Sequence, residues 1–289
     1  MTKPSTAAGY PAGQVELVRA TCLTVATVLG DLMDDLVVIG GFVPSLLIDQ
    51  ATLAEGIEAH VGTLDLDIGM SLAVFDDGHY QAVAERLRNA KFEPDENESG
   101  NKVPQRWRMK GQGKVTIDFL IPPSLPGDRG GKIRHLDSDL AAIIAPGLDV
   151  AFEDKQTISI DGFTLSGEKA ARNITVCGPG AYVVLKTLAF RNRGENKDAY
   201  DLYYVIRNFG NGITDVVERF LAISPNESCD LALKILREDF FDPSSVGPRR
   251  ATAFLRGEDV LDAELQAEVA GFARSFVDSV SKKINDTQT

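Results

Sequence analysis

The feature that most constrains the fold is a change of hydrophobic period at Gly178-Pro179-Gly180. Before it, apolar and β-branched residues come in short runs, several of them stopped by Gly or Pro, as buried strands are. The runs are residues 36–39, 63–70, 115–121, 157–160, 163–165 and 174–177. Pro122-Pro123 ends the third, and Asp161-Gly162 is a hairpin signal between the fourth and fifth. Helical spacing appears at residues 15–29 and 77–87, with a further helix beginning over 44–48 at Pro44. Beyond Gly180 the pattern is helical throughout, at residues 181–191, 198–208, 213–223, 230–240 and 263–283. The fold class is therefore α+β: a mixed sheet with flanking helices, followed by an all-α C-terminal domain. The division expected is a flexible tail over 1–13, an α/β domain over 14–178 and a helical domain over 179–289.

Charge narrows the function classes. The 30 basic residues stand against 42 acidic ones, a net charge of −12. A general nucleic-acid coat, DNA-binding included, is not expected of such a chain, because phosphate affinity comes from Lys and Arg. The three cysteines, Cys22, Cys177 and Cys229, have neither zinc spacing nor a disulfide pattern, which suits a reducing cytoplasm. No leader and no membrane-spanning stretch is read in the chain. His60, His79 and His135 have no ligand spacing and read as ordinary surface or turn residues.

The sharpest chemistry lies in Thr63-Leu64-Asp65-Leu66-Asp67-Ile68. In a strand, residues two apart share a face, so Asp65 and Asp67 stand side by side with leucine and isoleucine opposite. Neighbouring carboxylates repel unless a cation lies between them, and hard oxygen ligands suit Mg²⁺. A polar outer strand face is the plainer reading. The other Asp-x-Asp, Asp137-Ser138-Asp139, lies in a polar segment and reads as a solvated turn or helix start. Asp118, in Val115-Thr116-Ile117-Asp118-Phe119-Leu120, puts a third carboxylate on another strand, as a two-metal site requires. Gly40-Gly41 sits between a strand and a helix. There, backbone N–H groups can cradle phosphate oxygens.

Ile39-Gly40-Gly41, Asp65-Leu66-Asp67 and Asp118, in this order, resemble the motif of the polymerase-β-like nucleotidyltransferase superfamily. Residues 48–60 then read as an insertion in the motif's spacer. A second constellation lies at Lys186-Thr-Leu-Ala189, Arg191 and Asp198-Ala-Tyr-Asp201-Leu202. Lys186 falls in a helix that is apolar almost all round. Asp198 and Asp201 share a face of the next, so a charged seam between two antiparallel helices is expected. A structural ion-pair network accounts for it as well as a ligand site does. This pattern is similar to the AbiEii/AbiGii-type, MenT-like nucleotidyltransferase toxins, and the resemblance covers residues 36–207.

What the resemblance implies is a Mg²⁺-dependent enzyme that moves an NMP from an NTP to an RNA acceptor, a tRNA 3′ end first, with a separately encoded antitoxin. Asp65, Asp67 and Asp118 would hold two ions. Gly40 and Gly41, with Lys186 and Arg191, would bind the nucleotide, and Lys186 and Asp198 would belong to the catalytic set. A small-molecule or protein acceptor, and a nucleotide-binding regulator without turnover, remain the alternatives. Three basic clusters could draw an anionic substrate despite the net charge. One is Lys102, Arg106, Arg108, Lys110 and Lys114 around Trp107; the others are Arg129, Lys132 and Arg134, and Arg191, Arg193 and Lys197. A solvated hairpin explains the first equally well.

Overall fold

The computed structural model describes residues 3–71, 77–111 and 115–288. In chain order its elements begin with α1 (Gln14–Leu29), β1 (Leu36–Ile39), α2 (Val43–Leu47), β2 (Asp65–Met70) and α3 (Asp77–Asn89). Then come β3 (Phe92–Glu96), β4 (Lys102–Met109), β5 (Thr116–Ile121), β6 (Ile133–His135), β7 (Ala141–Ile144), α4 (Val150–Glu153), β8 (Lys155–Phe163) and β9 (Lys169–Cys177). Six helices follow: α5 (Pro179–Arg193), α6 (Asn196–Asn208), α7 (Ile213–Ala222), α8 (Glu227–Phe240), α9 (Val246–Arg256) and α10 (Ala263–Gln288). The class is α+β, with one mixed sheet among the described residues.

The chain forms two compact units. The α/β unit comprises Ala12–Val43 and Gly62–Cys177. The helical unit comprises the stretch ending at Pro11, Pro44–Val61 and the chain from Gly178 onward. Two expectations change here. Residues 44–61, expected within the α/β domain, belong with the helical unit. The stretch before Pro11 is not a loose tail: Tyr10 packs edge-on against Phe254, with ring centroids 5.8 Å apart.

In the α/β unit the strand order is β3-β4-β5-β2-β1-β9-β8, with β7 beside β5 and β6 beside β7. β1 is buried at all four positions, which explains its unbroken β-branched run. It pairs antiparallel with β2 and parallel with β9, and β2 pairs parallel with β5. A parallel pair needs a crossover, and the chain from α3 to β4 provides it. α1 buries Val18, Cys22, Val25 and Leu29, one helical stripe, and packs against β2, β8, β9 and α3.

Several local readings are corrected. The Asp161-Gly162 hairpin does not form: β8 runs straight through it, with Gly162 opposite Ala170 in the β9 ladder. The reversal comes at residues 164–168, where Thr164 N–H donates to the Glu168 carbonyl and Gly167 takes the positive φ. Residues 93–101, an acidic, Gly- and Asn-bearing stretch with a loop-like composition, contain most of β3. The basic run forms β4, and Trp107 at its centre is fully buried, with Nε1–H donating to the Pro104 carbonyl. Trp107 therefore cannot serve as a platform for a nucleic-acid base. Lys114 lies outside the described residues. β6, β7 and α9 are too short or too polar on one side to have stood out by period.

The helical unit is built on α5 and α6, which pack together, with α10 against α6, α7, α8 and α9. Gly180 allows the start of α5 to meet α7 backbone to backbone: a Cβ there would lie 2.6 Å from Arg219 C and Phe220 N. The Phe220 and Phe276 rings meet edge to face at 5.3 Å.

Trp107→Ala tests the sheet assignment. It should cost about 3–5 kcal/mol of unfolding free energy in denaturant titration, the range for an emptied aromatic core site. An exposed tryptophan would cost almost nothing.

Candidate functional site

Strand register assembles the carboxylates. Asp67 on β2 lies opposite Ile39 of β1 on one side and opposite Asp118 of β5 on the other. Asp118 in turn lies opposite Arg106 of β4. Residues directly opposite in a sheet project from the same face, so Asp67, Asp118 and Arg106 form one row. Asp65, two residues earlier on β2, projects beside Asp67. Carboxylate oxygens of Asp65, Asp67 and Asp118 all lie within 4.8 Å of one another. Asp65 is 3% exposed and Asp118 4%, so this is not the solvated strand face of the plainer reading. Leu66, Ile68, Ile117 and Phe119, on the other face, are fully buried.

Two side chains and a glycine turn line the row. Thr63 Oγ1–H donates to Asp65 Oδ1 at 2.7 Å. Arg106 donates from Nε to Asp118 Oδ1 at 2.7 Å and from Nη2 to Oδ2 at 2.6 Å, a two-pronged pair. These hydrogen bonds hold the guanidinium above its ordinary range; burial opposes this, and attraction from Asp118, Asp65 and Asp67 adds to it. Gly40 takes a φ of 76° in the turn after β1. A Cβ at Gly40 would overlap the Asp67 carboxylate, so that carboxylate lies directly against the glycine backbone. Gly41 beside it is buried.

The donor set fits a divalent cation. Three convergent carboxylates offer hard oxygens of the kind a divalent ion takes.

Lys186 and Asp198 belong to the helical unit, where α5 faces α6. Lys186 Nζ lies 3.0 Å from Asp198 Oδ1 and 2.7 Å from Asp201 Oδ2. Asp201 also accepts from Lys197 Nζ at 2.6 and 2.8 Å, and Arg193 grips Asp198 through Nε and Nη2, each at 2.7 Å. Lys186, Lys197, Asp198 and Asp201 are all buried. The seam expected between the two helices is therefore present. Burial works against the charged forms of Asp198 and Asp201, but Lys186 beside both, Arg193 beside Asp198 and Lys197 beside Asp201 hold them below the usual carboxylate range. Burial alone would depress Lys186, yet Asp201 and Asp198 hold it above its ordinary value. For Lys197 burial wins, and its value falls.

His60 is the residue the sequence reading missed. It is 5% exposed, not a surface group. Its Nε2 lies 2.9 Å from Asp201 Oδ1 and its Nδ1 3.4 Å from Ser45 Oγ, while its ring stacks on Tyr200 at 5.3 Å and meets Tyr204 edge-on at 4.9 Å. The only sequence hint was the tyrosine-rich, acidic face of α6, which needs a polar partner. Arg191 is placed elsewhere than expected. Its guanidinium binds Glu238 and Asp239 of α8 at 2.8 and 2.7 Å, not the Lys186 network.

The basic clusters are largely spent on ion pairs. Arg108 meets Asp95, Lys110 meets Glu93, Arg134 meets Asp128, and Arg193 and Lys197 are held in the network above. Lys102, Arg129 and Lys132 remain exposed. No protein-family model matches the chain, and a search of curated proteins finds no match.

Two measurements test this geometry. Gly40→Ala should lose about 1–2 kcal/mol from the left-handed backbone alone, and more from displacing Asp67; thermal melts with and without Mn²⁺ would show both a lower Tm and a smaller metal-induced rise. His60 is held neutral by burial, its pKa lowered from 6.5 to about 4, with the hydrogen bond to Asp201 opposing the shift and Lys197 and Lys186 adding to it. The unfolded chain therefore binds the extra proton first, so stability is full above pH 6.5 and falls as pH drops toward 4. The loss amounts to about 3 kcal/mol at most, and His60→Gln should flatten that part of the stability–pH curve.

Proposed function

We propose that this chain is a metal-dependent nucleotidyltransferase of the polymerase-β-like type. The observation that carries the reading is the row of Asp65, Asp67 and Asp118 beside the left-handed turn at Gly40. Strand, glycine turn, paired carboxylates and a third carboxylate on a neighbouring strand stand in the order that the sequence resemblance implies. A divalent ion held by the three carboxylates would neutralise phosphate charge and favour the ionised form of an attacking hydroxyl. The backbone of Gly40 and Gly41, against which the Asp67 carboxylate packs, would receive phosphate oxygens beside that carboxylate. Asp118, fixed by Arg106, would orient the acceptor. The acceptor oxygen forms a bond to the α-phosphorus of the NTP, the α–β bridging bond breaks, and pyrophosphate carries away the leaving charge.

An RNA acceptor, a tRNA 3′ end first, rests on the resemblance. So do a toxin role held in check by a separately encoded antitoxin, and action in the cytoplasm. The exposed Lys102, Arg129 and Lys132 support a polyanionic acceptor, though less than the full clusters would have done. For Lys186 and Asp198 the structure supports a positioning role within the α5–α6 seam, and Arg191 is not carried into the site. A regulator that binds nucleotide without turnover is favoured by one observation: both oxygens of Asp118 are already held by Arg106.

The test is label transfer from each α-labelled NTP to total tRNA with Mg²⁺. Asp65→Asn with Asp67→Asn should lower transfer by roughly a thousandfold, since removing metal ligands costs several kcal/mol of transition-state stabilisation. Transfer at an unchanged rate in that variant would sink the proposal. Tight NTP binding with no pyrophosphate release from any acceptor would support the regulator.

A further inference from the structure

Asp65 is placed in the carboxylate row by more than its strand. Thr63 lies two residues before β2 and is buried. Its hydroxyl donates to Asp65 Oδ1 at 2.7 Å. A threonine carries two heavy atoms on Cβ and has few χ1 choices, so the backbone that bears it aims its hydroxyl. That backbone is itself held in place. Gly62 takes a φ of 86°, in the left-handed region, and a Cβ there would lie 2.4 Å from Val15 Cγ2 of α1. Glycine thus lets the segment close onto α1 just before Thr63. From α1 through Gly62 and Thr63, packing in the α/β unit reaches the Asp65 carboxylate.

Two consequences of this hydrogen bond oppose each other. The donor draws charge from Oδ1, which makes Asp65 a slightly weaker ligand. It also resists rotation of the carboxylate, whose terminal torsion is intrinsically broad. Asp65, Asp67 and Asp118 have oxygens within 4.8 Å of one another, and their mutual repulsion favours turning Asp65 out of the row. Burial leaves little water to screen that repulsion, so orientation is the larger effect. We propose that Thr63 is a positioning residue: its hydroxyl holds Asp65 turned into the row, and so raises the affinity of the three carboxylates for a divalent ion. The hydroxyl meets part of the cost of gathering like charges before the ion arrives. The inference rests on the metal site of the proposed function, but its readout is metal affinity and not transfer.

The experiment is a Mn²⁺ titration of the full chain, counting free ion by electron paramagnetic resonance, with a thermal melt of each protein in the absence of metal. Thr63→Val keeps the shape of the side chain and removes the hydroxyl. It should bind Mn²⁺ about tenfold to a hundredfold more weakly than the wild type, the usual effect of losing a group that orients a metal ligand. Thr63→Ser keeps the hydroxyl and should stay within about threefold of the wild type, a difference of well under one tenfold step. If the valine variant does not fold, Thr63→Ser against Thr63→Ala carries the test, since those two differ by the hydroxyl alone. A lower Tm in Thr63→Val with Mn²⁺ affinity unchanged would mean that the threonine only packs, and would overturn the inference alone. Equal weakening in the serine and valine variants would do the same. A wild type that takes up no Mn²⁺ would overturn the inference together with the metal site, and the proposed nucleotidyltransferase chemistry with it.

Discussion

The α/β unit is organised by the register of three strands. Because β2 lies between β1 and β5, Asp67 must stand beside Asp118. That juxtaposition is costly: like charges within a few ångströms oppose one another, and burial removes the water that would screen them. The rest of that face answers to it. Arg106 arrives from β4 through a third ladder, Thr63 donates to Asp65, and Gly40 turns left-handed so that Asp67 has room. The opposite face carries Leu66, Ile68, Ile117 and Phe119, whose burial helps hold the strands together against the repulsion.

The helical unit meets a related problem with the opposite balance. Among the side chains in its seam, Asp198 and Asp201 face Lys186, Lys197 and Arg193, two carboxylates against three cations. In the sheet, three carboxylates converge and Arg106 grips one of them, Asp118. Each carboxylate of the seam has two cations against it, so the group holds together as a structural clamp, and removing one member strands the others. The carboxylate row instead converges, with an oxygen of each of the three side chains within 4.8 Å of the others, as a metal ion would need. This difference, more than the presence of acidic residues, separates a packing device from a candidate site.

Much of the fold was legible because period is a local property. The buried runs 36–39 and 115–121, and the helices α1, α5, α6, α7, α8 and α10, carry their burial pattern in a few consecutive residues. The sequence reading erred where a local signal was outweighed by a long-range one. Asp161-Gly162 favours a turn, but nine residues of ladder with β9 keep the strand extended. Trp107, set among cations, looked like a surface aromatic, yet β4 places it in the core. His60 has no local signal at all, since its partner Asp201 lies 141 residues away in sequence.

By itself the sequence determined which residue types can do chemistry and the period on which they lie: Asp65 and Asp67 on one strand face, Asp118 on another, a glycine pair after β1, and a lysine in an apolar helix. Those are consequences of backbone geometry over a few residues. Only the tertiary structure decided which of them meet. Strand order brought Asp67 beside Asp118 and Arg106 onto Asp118, and helix packing gathered Lys186, Asp198 and Asp201 and buried His60 beside them. Contacts of that kind depend on which distant segments bury each other, and no short window of the chain encodes that choice.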